Sequence, residues 1–305
     1  MEDSKIKRTA LMSSYLRSHH SLHADPKIFD DFISSQLLTQ EDQVAYEQSM
    51  VMALTAIDPE RIALNLKRED SIAYMVQHYF PTSLFLSRAR YAEDKLKDAI
   101  NRGIKQYIIL GAGMDTFAQR NPNLTEQLQI FEIDHPATQR FKRNRLKDLG
   151  LEQPDNLNFV PVDFTKDQLE NVLLDASYDP TLPSFFSWLG VIHYLPRQDV
   201  FSTFRTIANI APPGSSIIFD YWDLDAFDPE KAAKRVNIMQ SILRQAGEPM
   251  LTGLDPQSVA DELYKVGIDM QEHLSPMEIQ SKYFEGRNDG YYAYEHAFFV
   301  HGRVK

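Results

Sequence analysis

The first hundred residues carry apolar side chains three and four positions apart and contain no glycine before Gly103. This spacing predicts a helical N-terminal region over 1–100. Within it, Ile28, Phe29, Phe32, Ile33, Leu37 and Leu38 repeat with the period of one helix face. Asp25-Pro26 stands ahead of them as an N-cap followed by proline at the first helical position. A second amphipathic helix is read over 84–100, closed by Asn101-Arg102-Gly103.

Beyond Gly103 the texture changes to short β-branched and aromatic runs at 107–110, 128–133, 157–162, 184–189 and 216–219. Helical stretches lie between them at 137–149, 166–174 and 198–210. Strand-helix alternation at this spacing implies right-handed crossovers and a doubly wound, mainly parallel sheet covered on both faces, an α/β fold. The run 291–300 suits an edge or antiparallel strand, and 222–282 reads as a helical insertion or lid within a core spanning 101–305.

Composition narrows the chemistry. The 305 residues include no Cys, which excludes disulfides, thiolate metal sites and a cysteine nucleophile. Thirty-two Lys and Arg against 43 Asp and Glu leave a net charge of −11, spread along the chain, which disfavours nucleic-acid binding. No apolar run approaches the ~20 residues of a membrane span and the N-terminus is polar, so the expected address is the cytosol. His19, His20 and His23 have no matching carboxylate or second His group, and they read as solvated helix residues with no metal.

The first strand runs straight into Gly111-Ala112-Gly113-Met114-Asp115-Thr116, where two glycines let the backbone turn tightly and approach a ligand. A helix is expected to open at Asp115 or Thr116. The second strand ends in Glu132-Ile133-Asp134, two carboxylates 21 and 23 residues past Gly111 that share a strand face. An acid at that place sits beside the glycine turn and can accept both ribose hydroxyls of an adenosine ligand. A dinucleotide fold wants a third glycine where this chain has Thr116, and Asp115 would oppose a pyrophosphate. S-adenosylmethionine carries a sulfonium and no phosphate, so it suits an acidic turn better.

Arg88-Ala89-Arg90-Tyr91 with Asp94, the glycine turn, and Phe131-Glu132-Ile133-Asp134-His135-Pro136 leading into Phe141-Lys142-Arg143 resemble the leucine carboxyl methyltransferase family. More narrowly, they are similar to its bacterial branch of S-adenosylmethionine-dependent O-methyltransferases, some tied to polyketide-type secondary metabolites. Val160-Pro161-Val162-Asp163-Phe164, the segment from Trp188 to Leu195, and Phe219-Asp220-Tyr221 agree, so the resemblance covers about residue 10 to the C-terminus. It implies a class I methyltransferase Rossmann-like fold. It further implies that Arg88 holds the donor's methionine carboxylate, Gly111 lies against the donor, Asp134 takes the ribose, and Asp163 with Phe164 flanks the adenine. The competing structural role is that Arg88 and Arg90 pair with Glu93 and Asp94 on a solvated helix. The protein-methylating members carry a glutamate where this chain has Leu189, which removes one donor contact and points away from a protein acceptor.

His193 and Tyr194 follow the fourth strand at the ligand-binding edge of such sheets and are the catalytic candidates by position. Tyr221, Trp222, Tyr283 and Phe284 are expected to complete an acceptor pocket for a small molecule. The resulting expectation is methyl transfer to a carboxylate or hydroxyl of a small molecule. A nicotinamide-dependent oxidoreductase and a donor-binding scaffold without turnover are the alternatives.

Overall fold

The computed structural model describes residues 8–62, 64, 66–163 and 167–305. The N-terminal region is helical: α1 (Arg8–His23), α2 (Ser34–Leu37), α3 (Gln40–Ile57), α4 (Pro59–Ile62), α5 (Arg68–His78) and α6 (Thr82–Asn101). Thr39 caps α3 through a reciprocal box with Asp42, which satisfies two donors at that helix end.

The segment expected as a helix from Ile28 to Leu38 is mostly turns, with only the short α2 inside it. Its apolar residues serve two directions instead of one helix face. Ile28 and Phe29 join the main core, whereas Ile33 and Leu37 pack with Met114 and Leu146. Side chains hold the turns: the Ile28 amide donates to His20 Nε2 at 2.9 Å, and the Ser34 amide to Asp31 Oδ1 at 3.1 Å. His20 is therefore buried and His19 half-buried, burial lowering the pKa of both to about 4, and of the three histidines read as solvated only His23 is exposed. No group of side chains suited to a metal ion occurs among the described residues.

Seven strands follow in one sheet of order β3-β2-β1-β4-β5-β7-β6. They are β1 (Gln106–Leu110), β2 (Gln129–Asp134), β3 (Leu157–Pro161), β4 (Ser184–Trp188), β5 (Ser216–Trp222), β6 (Ile268–Leu274) and β7 (Ala297–Val304). The first five are parallel, and β7 runs antiparallel to both β5 and β6. The connecting helices are α7 (Phe117–Arg120), α8 (Pro122–Thr125), α9 (Pro136–Asp148), α10 (Leu169–Asp175), α11 (Arg197–Ile210), α12 (Lys234–Gln245), α13 (Val259–Lys265) and α14 (Pro276–Tyr283). This is the class I Rossmann-like arrangement.

Alternation along β1 shows how the sheet is covered. Tyr107 and Ile109 belong to the apolar cluster shared with α1, α5, α6 and α12, whereas Ile108 and Leu110 belong to the cluster shared with α10, α11 and α13. Both faces are dry, which is why the parallel strands read as continuous apolar runs.

Two expectations for the C-terminal third change. The region 222–282 is not wholly helical, because it contributes β6 at the sheet edge. The strand expected over 291–300 is β7, which starts later, at Ala297, and is antiparallel as expected while lying inside the sheet. β6 escapes a period-two reading because its register shifts between Met270 and Glu272 and one of its faces is polar. Tyr221, Trp222 and Phe284 are core residues, each 1 % exposed or less, and neither they nor the half-buried Tyr283 line the cavity at the carboxyl ends of the parallel strands.

Candidate functional site

A cavity of about 260 Å³ opens at the carboxyl ends of β1, β2, β3 and β4, where a doubly wound sheet binds ligands. Its floor is the turn after β1. The amides of Gly111 and Ala112 both donate to the Ile133 carbonyl, at 2.8 and 3.0 Å, which pins the turn against β2. Gly111 (φ +72°) and Gly113 (φ +53°) adopt the left-handed conformation that glycine tolerates. A Cβ on Gly111 would lie 2.3 Å from Val191 Cγ2, whereas one on Gly113 would have only the Ala10 methyl within 4 Å, at 3.5 Å. Asp115 accepts the Phe117 amide at 2.7 Å, and a single short turn, α7, opens after it.

The two acids of β2 have separate fates. Asp134 lines the cavity and its carboxylate secures the loop ends, accepting the Gly113 amide at 2.5 Å and the His135 amide at 2.6 Å. Glu132 is not part of the lining: it is 1 % exposed and paired with Lys142 of α9. Burial pushes its carboxyl up to about 7, against the pull of the Lys142 ammonium. Shared strand face therefore did not mean shared site, because α9 covers Glu132 and leaves only the last residue of the strand at the rim.

Arg88 of α6 reaches the cavity from the helical layer. Its partner is neither Glu93 nor Asp94: Nη1 lies 3.0 Å from Oδ2 of Asp220, a fully buried carboxylate in β5, while Arg90 pairs with Asp94. Asp163 and Leu189 line the cavity, and the Asp163 amide donates to Asp167 Oδ2 at 2.8 Å. Phe164 lies outside the described residues.

His193 and Tyr194 sit on a single 3-10 turn, Ile192–Tyr194, and both border the cavity with their rings 4.1 Å apart. The turn is anchored by the His193 carbonyl, which accepts the Leu251 amide at 2.6 Å. Burial pushes the Tyr194 hydroxyl well above its ordinary pKa, so it stays protonated at neutral pH. Thr9, a polar neighbour of that hydroxyl, donates to Glu248 at 2.6 Å.

Sequence reasoning missed the charge cluster that fastens the helical layer onto the glycine turn. Arg17 of α1 pairs with Asp31 at 2.8 Å and donates to the Met114 carbonyl at 2.7 Å. The Thr116 hydroxyl also reaches Asp31, at 2.7 Å, and Arg120 joins Asp31 to Glu93. Burial alone would raise the Asp31 carboxyl, yet Arg17 and Arg120 hold it below the usual range. Sequence reasoning assigned no role to Gly190 or to Asp220. A lone carboxylate inside a wholly buried strand was the available signal for Asp220.

No helix among the described residues is long and apolar enough to cross a membrane. The model of the leucine carboxyl methyltransferase family matches residues 10–208. A Bacillus subtilis (strain 168) protein, YktD, named as a candidate S-adenosyl-L-methionine-dependent methyltransferase, is 38 % identical over 306 residues and covers the whole of both chains. A relative from Mycolicibacterium smegmatis with a name of the same kind is 34 % identical over 146 residues, 48 % of each chain. A crystal structure of a DUF574 family protein from Streptomyces avermitilis superposes over the full length of both chains with a TM-score of 0.60 at 14 % identity, a likeness of fold. With the cavity, the glycine turn and these matches together, the nicotinamide alternative falls away, and the chain belongs to the leucine carboxyl methyltransferase family of S-adenosylmethionine-dependent methyltransferases.

Proposed function

We propose that the protein methylates an oxygen, carboxylate or hydroxyl, of a small molecule, and that the donor lies in the cavity above the β1 turn. One observation carries the reading: Arg88, Gly111, Gly113, Asp134, Asp163 and Leu189, drawn from five separate segments, all line the same cavity. The fit to S-adenosylmethionine rests on the left-handed glycine turn that brings bare backbone to the cavity, and on an acid and a guanidinium in its wall. Bound there, the donor supplies an electrophilic methyl on a sulfonium.

In this reading Asp134 accepts from the ribose hydroxyls, Asp163 borders the adenine, and Arg88 grips the methionine carboxylate through its planar fork. The protein's largest contribution is then positional: holding the acceptor in line is worth up to ~7 to 11 kcal/mol in well-oriented systems. A carboxylate acceptor needs no base. For a hydroxyl acceptor His193 takes the proton, an effect of roughly 100-fold or more, and the protonated Tyr194 orients the oxygen by hydrogen bonding.

The acceptor is read as small because Thr9, Ala10 and Ser13 of α1 and Phe85 of α6 line the cavity from the helical side and narrow it. The apolar Leu189, in place of the glutamate that the resemblance associates with protein-methylating members, favours the same reading. We place the enzyme in the cytosol, in secondary metabolism, with no nucleic-acid partner.

Incubation with methyl-labelled donor and fractionated metabolite extracts tests this reading. Label should pass to a small molecule, and release by mild base marks a methyl ester as opposed to an ether. Tight donor binding with no label transferred across broad extracts would favour a donor-binding scaffold without turnover.

A further inference from the structure

Asp220 sits within β5, a strand buried along its whole length, and is itself fully buried. A carboxylate there is costly unless its oxygens are satisfied by strong donors. Both are. Oδ1 accepts the Gly190 amide at 2.6 Å, and Oδ2 accepts Nη1 of Arg88 at 3.0 Å. Neither donor comes from β5: Gly190 belongs to the turn after β4, and Arg88 to α6.

Gly190 completes the clasp. Its φ is +71°, and a Cβ at this position would lie 2.4 Å from Nη2 of Arg88 and 2.8 Å from Cζ. The guanidinium therefore lies against the bare backbone of Gly190 while its Nη1 is tied to Asp220. Arg88 and Gly190 line the cavity, and Asp220 stands behind them without entering it. An arginine has five N–H donors, and anchoring one nitrogen leaves the Nε–Nη2 edge as a fork for a second carboxylate.

We propose that Asp220 is a positioning residue for donor recognition: it fixes the Arg88 guanidinium, through the Gly190 clasp, in the orientation that receives the donor's amino-acid carboxylate. The inference rests on the donor site proposed above and assigns to Asp220 no contact with the ligand. Because the effect passes through one ligand group only, it should be blind to ligands that lack that group.

The test is calorimetric titration of the full chain with two adenosine ligands: S-adenosylhomocysteine, which carries the amino-acid carboxylate, and 5′-methylthioadenosine, which does not. Asp220→Asn should weaken S-adenosylhomocysteine at least tenfold and leave 5′-methylthioadenosine within twofold of wild type. Arg88→Gln should give the same split, and the double variant should lose no more than Arg88→Gln alone. If Asp220→Asn does not fold, Asp220→Ser, which keeps an acceptor for the Gly190 amide, should show the same split. Equal losses for the two ligands, or unchanged S-adenosylhomocysteine affinity in a folded variant, would overturn the inference while leaving the donor site standing. A wild-type chain that binds neither ligand takes down the donor site and the inference with it.

Discussion

Replacing Asp134 separates the donor site from the scaffold that holds it. In the folded protein this carboxylate accepts two backbone amides, from Gly113 at 2.5 Å and His135 at 2.6 Å, and it borders the cavity. Hydrogen bonds to a charged acceptor are worth about 1.5 to 3 kcal/mol each. If the ribose hydroxyls bond to the same carboxylate, Asp134→Ala removes at least one such bond from the complex. Donor affinity should then fall about 10- to 100-fold, at about 1.4 kcal/mol per decade. The same change frees two amides of the turn in the empty protein, so stability should fall by about 1 to 3 kcal/mol as well. Asp134→Asn keeps one acceptor oxygen and should lie between wild type and Ala on both scales. Titration calorimetry with S-adenosylhomocysteine, paired with thermal unfolding of the same samples, reads the two effects separately. A folded Asp134→Ala protein with wild-type affinity would refute the assignment, whatever its melting temperature.

Other consequences are local. Gly113→Ala forces a side chain into the left-handed region, at about 1 to 2 kcal/mol, in the turn whose Gly113 amide holds the Asp134 carboxylate; donor affinity should drop at least tenfold on titration. Gly150→Ala, at φ +66° with nothing within 4 Å of its Cβ, should cost the strain and leave donor binding unchanged. Lys142→Met strands the buried Glu132 carboxylate and should cost about 3 to 5 kcal/mol in denaturant unfolding, whereas adding Glu132→Gln should recover much of it. Because the Glu132 carboxyl is raised to about 7 on folding, folding takes up a proton there and stability should decline as pH rises from about 4.5 through 7. Glu132→Gln should flatten that decline in urea titrations across the range. His20 and His301 act in the opposite sense: burial lowers each to about 4, so the unfolded chain binds the proton first as pH falls below about 6.5. Stability should be lost down to about pH 4, by up to about 3 kcal/mol per group, and His20→Gln should lessen that slope.

The parallel half of the fold was legible because most of its sheet is buried on both faces, which makes β1 to β5 short, mainly apolar runs set off by helices. The turn at Gly111 to Thr116 and Asp134 could be read for the same reason, since the end of a buried strand is where polar residues signal a ligand edge. Three features hid from that reasoning. β6 is a bulged edge strand with a polar face, so neither period two nor an apolar run marks it. The apolar residues between Ile28 and Leu38 face two different clusters, and a three-and-four spacing cannot distinguish that from one helix face. Glu132 and Asp134 share a strand face, yet α9 brings Lys142 over the first and leaves the second at the rim, a matter of helix placement that strand periodicity does not contain. The charge cluster of Arg17, Asp31, Arg120 and Glu93 joins residues up to 103 positions apart, and no local pattern announces it.

A crystal structure of the protein with S-adenosylhomocysteine bound would test the central claim most directly. The account predicts the adenosyl group across the Gly111 to Gly113 turn, both ribose hydroxyls on Asp134, and the amino-acid carboxylate on Arg88. Density for the nucleoside at any other place, or ribose hydroxyls held by groups other than Asp134, would contradict it.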